Sequence, residues 1–319
     1  MKAIIIAENS QCQLSPLTDR IPHALLPVSG KSILMLTLEM LHRGSIRNVA
    51  VVSPSFCAEL ESATNTGPLI GMEVKFVPEL PDLRQLSEHS LIVGLKNIVD
   101  ADWNDILDVI GDITIHALMP IRMTVSAEPV ALVLPPFFPE KVSDDWKDIH
   151  HTEAILLPIG PKRVLSTGTL ADYYQSNFQL LRGEFKYLRP AGREYSSGHR
   201  ASPKARVHSK SIHSDHGYFG SHCRVDKSAR LSGDVIIGDR VVVGKGAHVR
   251  DSIIFDSTYV GANIDCSDAI IDRNLLIRMD TGVCLKLDDP VLLGTTAGLT
   301  QRTMQSSARF SRDLAASPR

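Results

Sequence analysis

The sequence has no excess of charge of either sign and no long apolar run. Its 319 residues include 34 Lys and Arg residues against 36 Asp and Glu residues, so no global field favours nucleic acid or an anionic membrane surface. No stretch reaches the roughly 18 apolar residues that a membrane-spanning helix needs, and the first residues do not have the pattern of a secretory leader. We therefore expect a protein of the cytoplasm, with no nucleic acid and no membrane among its partners.

Paired cysteines are also missing. The five cysteines are widely spaced and no CxxC pair occurs among them, which argues against a regular disulfide framework or a zinc ribbon. We expect reduced thiols. Cys223, Cys266 and Cys284 fall in the later part of the chain and are predicted to fill small inward-facing positions there, because a free cysteine packs like a small apolar residue.

Residues 2–110 show an alternation of strand and helix patterns. The short apolar runs KAIIIA, NVAVVS, VKFV and DILDVIGD predict strands, the last of which ends on Gly111 and Asp112. The segments KSILMLTLEMLHR, SFCAELESA and SEHSLIVGLKNIV predict helices, and a further helix is expected between Thr169 and Gly183. This alternation predicts a doubly wound parallel sheet covered by helices on both faces, an α/β fold.

From residue 217 onward the pattern changes to one apolar residue in every six. The residues that carry it are Phe219, Val225, Leu231, Ile237, Val243 and Val249. A period of six fits neither an α-helix nor a hairpin and is typical of a β-solenoid, in which each flat face contributes one inward side chain. We predict an α/β domain at 1–188, a polar linker at 189–216, the solenoid at 217–290 and a disordered tail at 291–319.

The first loop and the order of the two halves resemble the sugar-1-phosphate nucleotidyltransferases, or nucleotide-sugar pyrophosphorylases. That family opens with AAGxGxRLxPLTxxxPKxLLPVxGKPxL. The positions in register here are Leu14, Pro16, Leu17, Thr18, Pro22, Leu25, Leu26, Pro27, Val28, Gly30, Lys31 and Leu34. The most similar types are mannose-1-phosphate guanylyltransferase and glucose-1-phosphate adenylyltransferase. The resemblance implies a Rossmann-like nucleotidyltransferase domain, shortened here, followed by a left-handed parallel β-helix of hexapeptide repeats.

The chemical positions of this motif are changed. Asn9 and Gln11 replace the two loop glycines, Gln13 replaces the arginine and His23 replaces the lysine. Asn and Gln adopt positive φ less readily than glycine. Gln13 offers only a neutral dipole, and His23 is mostly uncharged at neutral pH. In the family, the arginine and lysine contact phosphates, so their loss predicts little or no catalysis.

The resemblance still implies a set of site residues. The nucleotide-binding positions are Ala7, Glu8, Asn9, Gln11, Gln13 and His23, although His23 also fits a buried, hydrogen-bonded histidine. VIGD is similar to the family's strand that ends on a metal-binding aspartate, which makes Asp112 a candidate metal ligand or else a loop-capping carboxylate. One carboxylate is a poor magnesium site. We expect no certain cofactor, and Mg²⁺ only if the protein is active.

Two further clusters contain metal-ligating residue types but fit simpler roles. One is a set of histidines whose spacing does not match a known metal-ligand pattern: His199, His208, His213, His216 and His222. The group Asp144, Asp145, Asp148, His150 and His151 fits a solvated loop.

Three functions remain as alternatives. The first is a degenerate nucleotidyltransferase that binds a nucleotide or nucleotide sugar, or regulates or scaffolds sugar-nucleotide or polysaccharide metabolism. Its β-helix would join copies of the chain or an active homologue. The second is a divergent working enzyme that transfers a nucleotidyl group from NTP to a sugar 1-phosphate with Mg²⁺. The third is a hexapeptide-repeat acyltransferase with His222 or His248 as its base.

Overall fold

The computed structural model describes the chain in eight stretches. These are residues 1–7, 13–64, 69, 71–82, 87–116, 120–125, 128–136 and 154–296; for residues 111–116 and 128–129 it describes the backbone alone. The chain divides into two compact units, Met1–Pro190 and Ala191–Arg319. We call the first the α/β unit and the second the repeat unit.

In the described part of the α/β unit, strands alternate with four helices. The strands are β1 (Lys2–Ile6), β2 (Pro27–Val28), β3 (Lys31–Ser32), β4 (Asn48–Val52), β5 (Glu73–Val77), β6 (Ser90–Gly94), β7 (Asn97–Val99), β8 (Ile121–Val125), β9 (Glu128–Leu134), β10 (Ile155–Pro158) and β11 (Val164–Ser166). The helices are α1 (Ile33–Arg43), α2 (Cys57–Thr64), α3 (Trp103–His116) and α4 (Leu170–Leu181), with short 3₁₀ turns at Leu17–Asp19, His23–Leu25 and Pro161–Arg163.

The main sheet of the α/β unit has the strand order β10-β8-β9-β6-β1-β4-β5. Strands β6, β1, β4 and β5 are parallel to one another, whereas β9 runs antiparallel to both of its neighbours. The predicted parallel sheet is therefore present as four adjacent strands of a seven-stranded mixed sheet. Strand β1 lies in its interior and is paired on both edges, which suits an Ile-rich strand that is buried on both faces.

Two predicted helices begin at the residues whose side chains can cap them. The Ser32 hydroxyl accepts the Met35 N–H at the start of α1 (3.2 Å). The Thr169 hydroxyl accepts the Asp172 N–H at the start of α4 (3.1 Å). Each cap satisfies a backbone donor that the first helical turn leaves unpaired. Among the described residues, no helix combines the length and the apolar content that crossing a membrane requires.

Two predictions in the α/β unit are wrong. SEHSLIVGLKNIV forms strands β6 and β7 instead of a helix, and β6 is buried along most of its length beside β1. DILDVIGD lies inside α3 instead of forming a strand. Trp103 and Ile110, seven residues apart, are both buried and share one face of that helix. Asp112 therefore lies in a helix and not at the carboxyl end of a strand.

The described part of the repeat unit is built from strands. They are β12 (Arg193–Ser196), β13 (His199–Ala201), β14 (Arg206–Val207), β15 (Ile212–Phe219), β16 (Arg224–Val225), β17 (Arg230–Ile237), β18 (Val242–Val243), β19 (His248–Ile254), β20 (Thr258–Val260), β21 (Asp265–Asp272), β22 (Leu275–Arg278), β23 (Cys284–Lys286) and β24 (Leu293–Thr295). One sheet has the order β12-β13-β15-β17-β19-β21-β22-β23 and a second the order β14-β16-β18-β20-β24.

Successive long strands of the repeat unit stack in parallel and in register. Leu231 lies beside Val249, and Val249 lies beside Cys266. The six predicted hexad residues are all buried, and all belong to one apolar cluster. The interpretation of the six-residue period as the core of a repeating β-structure is therefore confirmed, because each repeat places an apolar side chain over the equivalent one of the next.

Two of the three cysteines predicted to face inward do so. Cys223 and Cys266 are buried in the apolar cluster, where burial raises the pKa of Cys223 to about 11 and that of Cys266 to about 12. Both thiols are therefore protonated at neutral pH. Cys284 is exposed on β23, so the prediction is wrong for this residue, which lies on a sheet-edge strand beyond the repeating core.

The segment predicted as a linker, residues 189–216, belongs mostly to the repeat unit. Strand β13 pairs with β15 and β14 pairs with β16, both in parallel. The linker prediction is wrong for these residues because polar side chains here mark exposed strands and not a free chain: β12 is exposed throughout. Of the predicted tail, Leu293–Thr295 forms β24. Residues 297–319 lie outside the described residues.

Candidate functional site

The carboxyl ends of β1 and β6 form the expected ligand-binding edge of the α/β unit. From β1 the chain passes to β4 and β5 on one side, and β6 returns to the other side of β1. Open sheets bind ligands outside the carboxyl ends of the strands at such a switch point. The two strands end level, with Ile6 beside Gly94. We call this edge, which is bordered by Ala7, Gln13, Lys96 and Gly168, the β1–β6 crevice.

The loop that follows β1 is anchored at both ends. The buried Ala7 donates its N–H to the Val52 carbonyl (2.9 Å). Gln13 donates its backbone N–H to the Gly168 carbonyl (2.9 Å) and has an exposed side chain. The predicted nucleotide-binding residues Glu8, Asn9 and Gln11 lie between these anchors, outside the described residues. The structure thus brings the two ends of the predicted loop to the crevice.

His23 is buried, with an exposed fraction of 1%. Its Nε2 lies 3.0 Å from Oγ1 of Thr167. The Thr167 hydroxyl in turn lies 3.2 Å from the Leu95 carbonyl oxygen and 3.1 Å from that of Lys96. The Thr167 hydroxyl therefore connects the His23 ring to the backbone that follows β6.

Burial decides the charge of His23. It lowers the pKa of His23 from 6.5 to about 4, and hydrogen bonding at Thr167 offsets only part of this effect. At neutral pH the imidazole therefore carries no positive charge. His23 joins the turn His23–Leu25 to the segments that follow β6 and precede α4. It does not supply the cation that the matching lysine supplies in the resembling family.

Asp112 does not reach the strand end that the sequence predicted for it, because it lies inside α3. The strand that does end at the crevice is β6, and it is followed by Leu95, Lys96 and Asn97. The residue types after this strand therefore include a cation and no carboxylate. A role for Asp112 in metal binding stays a prediction, now without the strand-end position that motivated it.

Lys96 is the site residue that the sequence analysis missed. Its backbone carbonyl accepts the Thr167 N–H (2.7 Å). Its half-buried side chain lies across Gly168, where a Cβ would stand 2.4 Å from the Lys96 Cε. The signal that could have revealed it is the run SLIVG, which fits a buried strand as well as a helix. As a strand, it places the following lysine at the edge of the sheet.

Asp100 follows β7 and has a structural role. Its exposed fraction is 5%, and its carboxylate accepts the backbone N–H groups of Lys186 (2.6 Å), Tyr187 (2.8 Å) and Leu188 (2.8 Å). A carboxylate with three backbone donors has most of its acceptor capacity used. Among the described residues, no group of three or more His, Cys, Asp or Glu side chains is arranged to hold a metal ion.

The histidines of the repeat unit are spread over separate hydrogen bonds. His216 Nδ1 lies 3.0 Å from Asp234 Oδ1, and His199 Nε2 lies 3.1 Å from Ser214 Oγ. The His208 side chain accepts the Lys210 N–H. The structure therefore does not bring this set together as a metal centre within the described residues. The acidic group at residues 144–151 lies outside them.

The acyltransferase candidates His222 and His248 also lie in the repeat unit. His222 occupies a turn with φ of 58°, and His248 is the first residue of β19. Both side chains are exposed. Their role as a base stays a prediction.

Comparisons with known proteins agree with this division of the chain. Residues 220–298 match the family described as "GlmU-like, C-terminal hexapeptide". A glucose-1-phosphate thymidylyltransferase of Streptomyces antibioticus is 23% identical over 299 residues, which cover 85% of this chain and 81% of that protein. A second glucose-1-phosphate thymidylyltransferase, from Streptomyces griseus, is 29% identical over 79 residues, which cover 25% of this chain and 22% of that protein.

Among solved structures, the crystal structure of HddC from Yersinia pseudotuberculosis gives a TM-score of 0.43 at 12% identity. The match covers 56% of this chain and 98% of that one. A TM-score of this size does not assign a fold. The repeat match and the two curated relatives, taken with the first-loop motif, show that the chain is similar to sugar-1-phosphate nucleotidyltransferases and that it has a C-terminal hexapeptide region.

Proposed function

We propose that the protein binds a nucleotide sugar or a nucleotide in the β1–β6 crevice and has lost most or all pyrophosphorylase activity. In this role it acts as a regulatory or scaffold partner in sugar-nucleotide or polysaccharide metabolism. The observation that carries the proposal is the state of His23, which is buried and neutral where the resembling family has a phosphate-binding lysine.

The charge at the second altered position supports the same conclusion. Gln13 has an exposed side chain and a fixed backbone, and it replaces the family's arginine with a neutral dipole. Phosphoryl transfer depends on cations that stabilise the negative charge of the transition state. Loss of one such donor costs about 10²- to 10³-fold in rate, so two losses place turnover far below that of a working enzyme.

An active divergent enzyme is the second candidate. It is favoured by the S. antibioticus relative, a glucose-1-phosphate thymidylyltransferase by its printed name, whose match spans both units. In that case Mg²⁺ is the expected cofactor, and pyrophosphate is released when a sugar 1-phosphate attacks the α-phosphate of an NTP.

Pyrophosphate release distinguishes the two candidates. The purified chain is assayed with each NTP, a panel of hexose 1-phosphates and Mg²⁺, beside a working nucleotidyltransferase. We expect turnover at least about 1,000-fold below that enzyme. Turnover within tenfold of the working enzyme, reproduced in independent preparations, contradicts the proposal.

Binding is tested separately by thermal unfolding with nucleoside diphosphates and nucleotide sugars. A ligand of the native state at 100 times its Kd adds about 2.7 kcal/mol to the free energy of unfolding. A shift with one base or sugar and not with the others also names the ligand class. A chain that no probe stabilises contradicts the proposal that the β1–β6 crevice binds a nucleotide or nucleotide sugar.

For the repeat unit, the finer proposal is a left-handed parallel β-helix. It is supported by the in-register stacking at steps of 17 and 18 residues, which correspond to three hexapeptides per coil. We also propose that a face of this unit joins copies of the chain, or the chain to an active homologue, in the cytoplasm. Sedimentation of the purified chain, alone and with such a homologue, tests this association.

A further inference from the structure

Lys96 stands at the one edge of the sheet where the topology predicts a ligand. It is the second residue after β6, and β6 ends level with β1. Its side chain lies beside Gly168, whose carbonyl accepts the N–H of Gln13 at the end of the loop that follows β1. In a sheet of this kind, that edge is where the charged part of a ligand lies.

The stem of Lys96 is in close contact with Gly168. A Cβ on Gly168 would stand 2.4 Å from Cε of Lys96, 3.2 Å from Cγ and 3.3 Å from Cδ. The stem therefore lies along the backbone of Gly168, whose carbonyl accepts the Gln13 N–H. Only glycine leaves room for this path. Because this half-buried stem packs against backbone, it has less side-chain entropy to lose on binding an anion than a fully exposed lysine has.

Neither of the two positions that bind phosphate in the resembling family has a charged side chain here, whereas Lys96 places a cation at the same edge of the sheet. Gln13 is neutral, and His23 is buried without charge. A lysine ammonium is a compact point charge with three donors, a type of group that binds phosphate without a metal ion.

We propose that Lys96 binds a phosphate of the ligand in the β1–β6 crevice and that this binding does not need a divalent cation. The inference rests on the proposed function, since it names the group that holds the diphosphate of a nucleotide or nucleotide sugar. It implies that the crevice has exchanged a metal-dependent reactive site for a metal-independent binding site.

Calorimetric titration tests the proposal on the full-length chain. The probes are ADP, GDP, UDP and dTDP, each in EDTA and again in excess MgCl₂. We expect Kd to be the same within about threefold in the two buffers. Lys96→Met keeps the stem and removes the charge, so Kd should weaken by about 10- to 100-fold. Lys96→Arg keeps the charge and should retain most of the affinity.

Two further variants separate the charge from its placement. Lys162→Met removes an exposed lysine of the same unit, in the turn Pro161–Arg163, and should leave Kd unchanged. Gly168→Ala keeps Lys96 but displaces its stem, and we expect intermediate weakening. Circular dichroism and thermal unfolding of each variant show whether it is folded. If Gly168→Ala does not fold, the Lys96→Met and Lys96→Arg pair decides alone.

The outcomes distinguish the inference from the function on which it rests. Wild-type binding that Lys96→Met leaves unchanged overturns the role of Lys96 and leaves the proposed function standing. Binding that EDTA abolishes also overturns the inference, since a metal ion then holds the phosphate. No binding of any probe by the wild-type chain in either buffer overturns the proposed function itself.

Discussion

The two units differ in how their carboxylates accept backbone N–H groups. In the α/β unit, Asp100 joins the segment after β7 to three successive N–H groups that follow α4, 86–88 residues later. In the repeat unit, Asp239 accepts the Ser221 N–H (2.6 Å) and Asp256 accepts the Asp239 N–H (2.8 Å). Asp100 joins two segments that are distant in the sequence, whereas Asp239 and Asp256 make equivalent bonds in successive repeats.

This difference predicts how strongly a single substitution destabilises each unit. In the repeat unit each contact recurs. When one residue loses its contact, the equivalent contacts of the neighbouring repeats still hold the strands in register. In the α/β unit, each contact between distant segments occurs once. The crevice is held by such single contacts, His23 with Thr167 and Gln13 with Gly168 among them. We therefore expect a single substitution at such a contact in the α/β unit to lower the free energy of unfolding more than loss of one bond between repeats does.

The largest effect is expected for Asp100→Ala. It leaves three N–H groups without their acceptor at a site with 5% exposure, and should lower the free energy of unfolding by about 4 kcal/mol. Asp239→Ala removes one bond at a half-exposed turn and should cost about 1 kcal/mol. Urea denaturation measures both. Equal losses of stability for the two variants would show that a bond between repeats contributes as much as the long-range contacts of Asp100.

Leu231→Ala tests the repeat core. The side chain is fully buried in the apolar cluster, and its truncation should destabilise the repeat unit by about 3 kcal/mol because the repeats above and below hold the cavity open. The matched control is Leu285→Ala on the edge strand β23, where 45% of the residue is exposed and we expect a loss of about 0.5 kcal/mol or less. Similar losses for both would contradict the assignment of the hexad residues as the core.

His23 makes the stability of the α/β unit depend on pH. The histidine is neutral in the folded chain, with a pKa near 4, and takes up a proton near pH 6.5 when unfolded. The unfolded state binds more protons in this window, so stability is full above pH 6.5 and falls by up to about 3 kcal/mol towards pH 4. Unfolding of the wild-type chain and of His23→Gln is measured across this range. Equal slopes for the two proteins would contradict a buried neutral His23.

The smallest effect is expected for Gln13→Arg. Its side chain is exposed beside the crevice, so the new guanidinium needs no burial and should tighten nucleoside diphosphate binding by about tenfold. Gln175→Arg, on an exposed position of α4, is the matched control and should not change Kd. A lysine at position 23 is not a useful restoration, because it would bury a charge where the histidine is 1% exposed.

Much of the fold was predictable where local signals and packing agree. Helix α1 follows Ser32, helix α4 follows Thr169, and the hexad residues all face the repeat core. The failures concern segments whose local pattern fits two structures. SLIVG is a short apolar run that fits a helix or a strand equally well. It forms a strand because it pairs with β1 in the sheet.

The error in the site followed from the error in the fold. DVIGD has the composition of a strand end, but Trp103 and Ile110 fix it within an amphipathic helix. With β6 assigned as a helix, Lys96 had no place at the sheet edge. The altered residues Gln13 and His23 were identified from the motif alone, whereas the charge state of His23 required its burial to be known.

Within the described residues, neither edge strand of the larger sheet of the repeat unit is parallel to its neighbour. At one end β12 runs antiparallel to β13, and at the other β22 and β23 reverse direction after β21. A second molecule that approached end to end would meet a reversed strand with a different hydrogen-bond pattern. Stacking of copies into an open fibre is thereby disfavoured, and the repetition that stabilises the unit stops within a single chain.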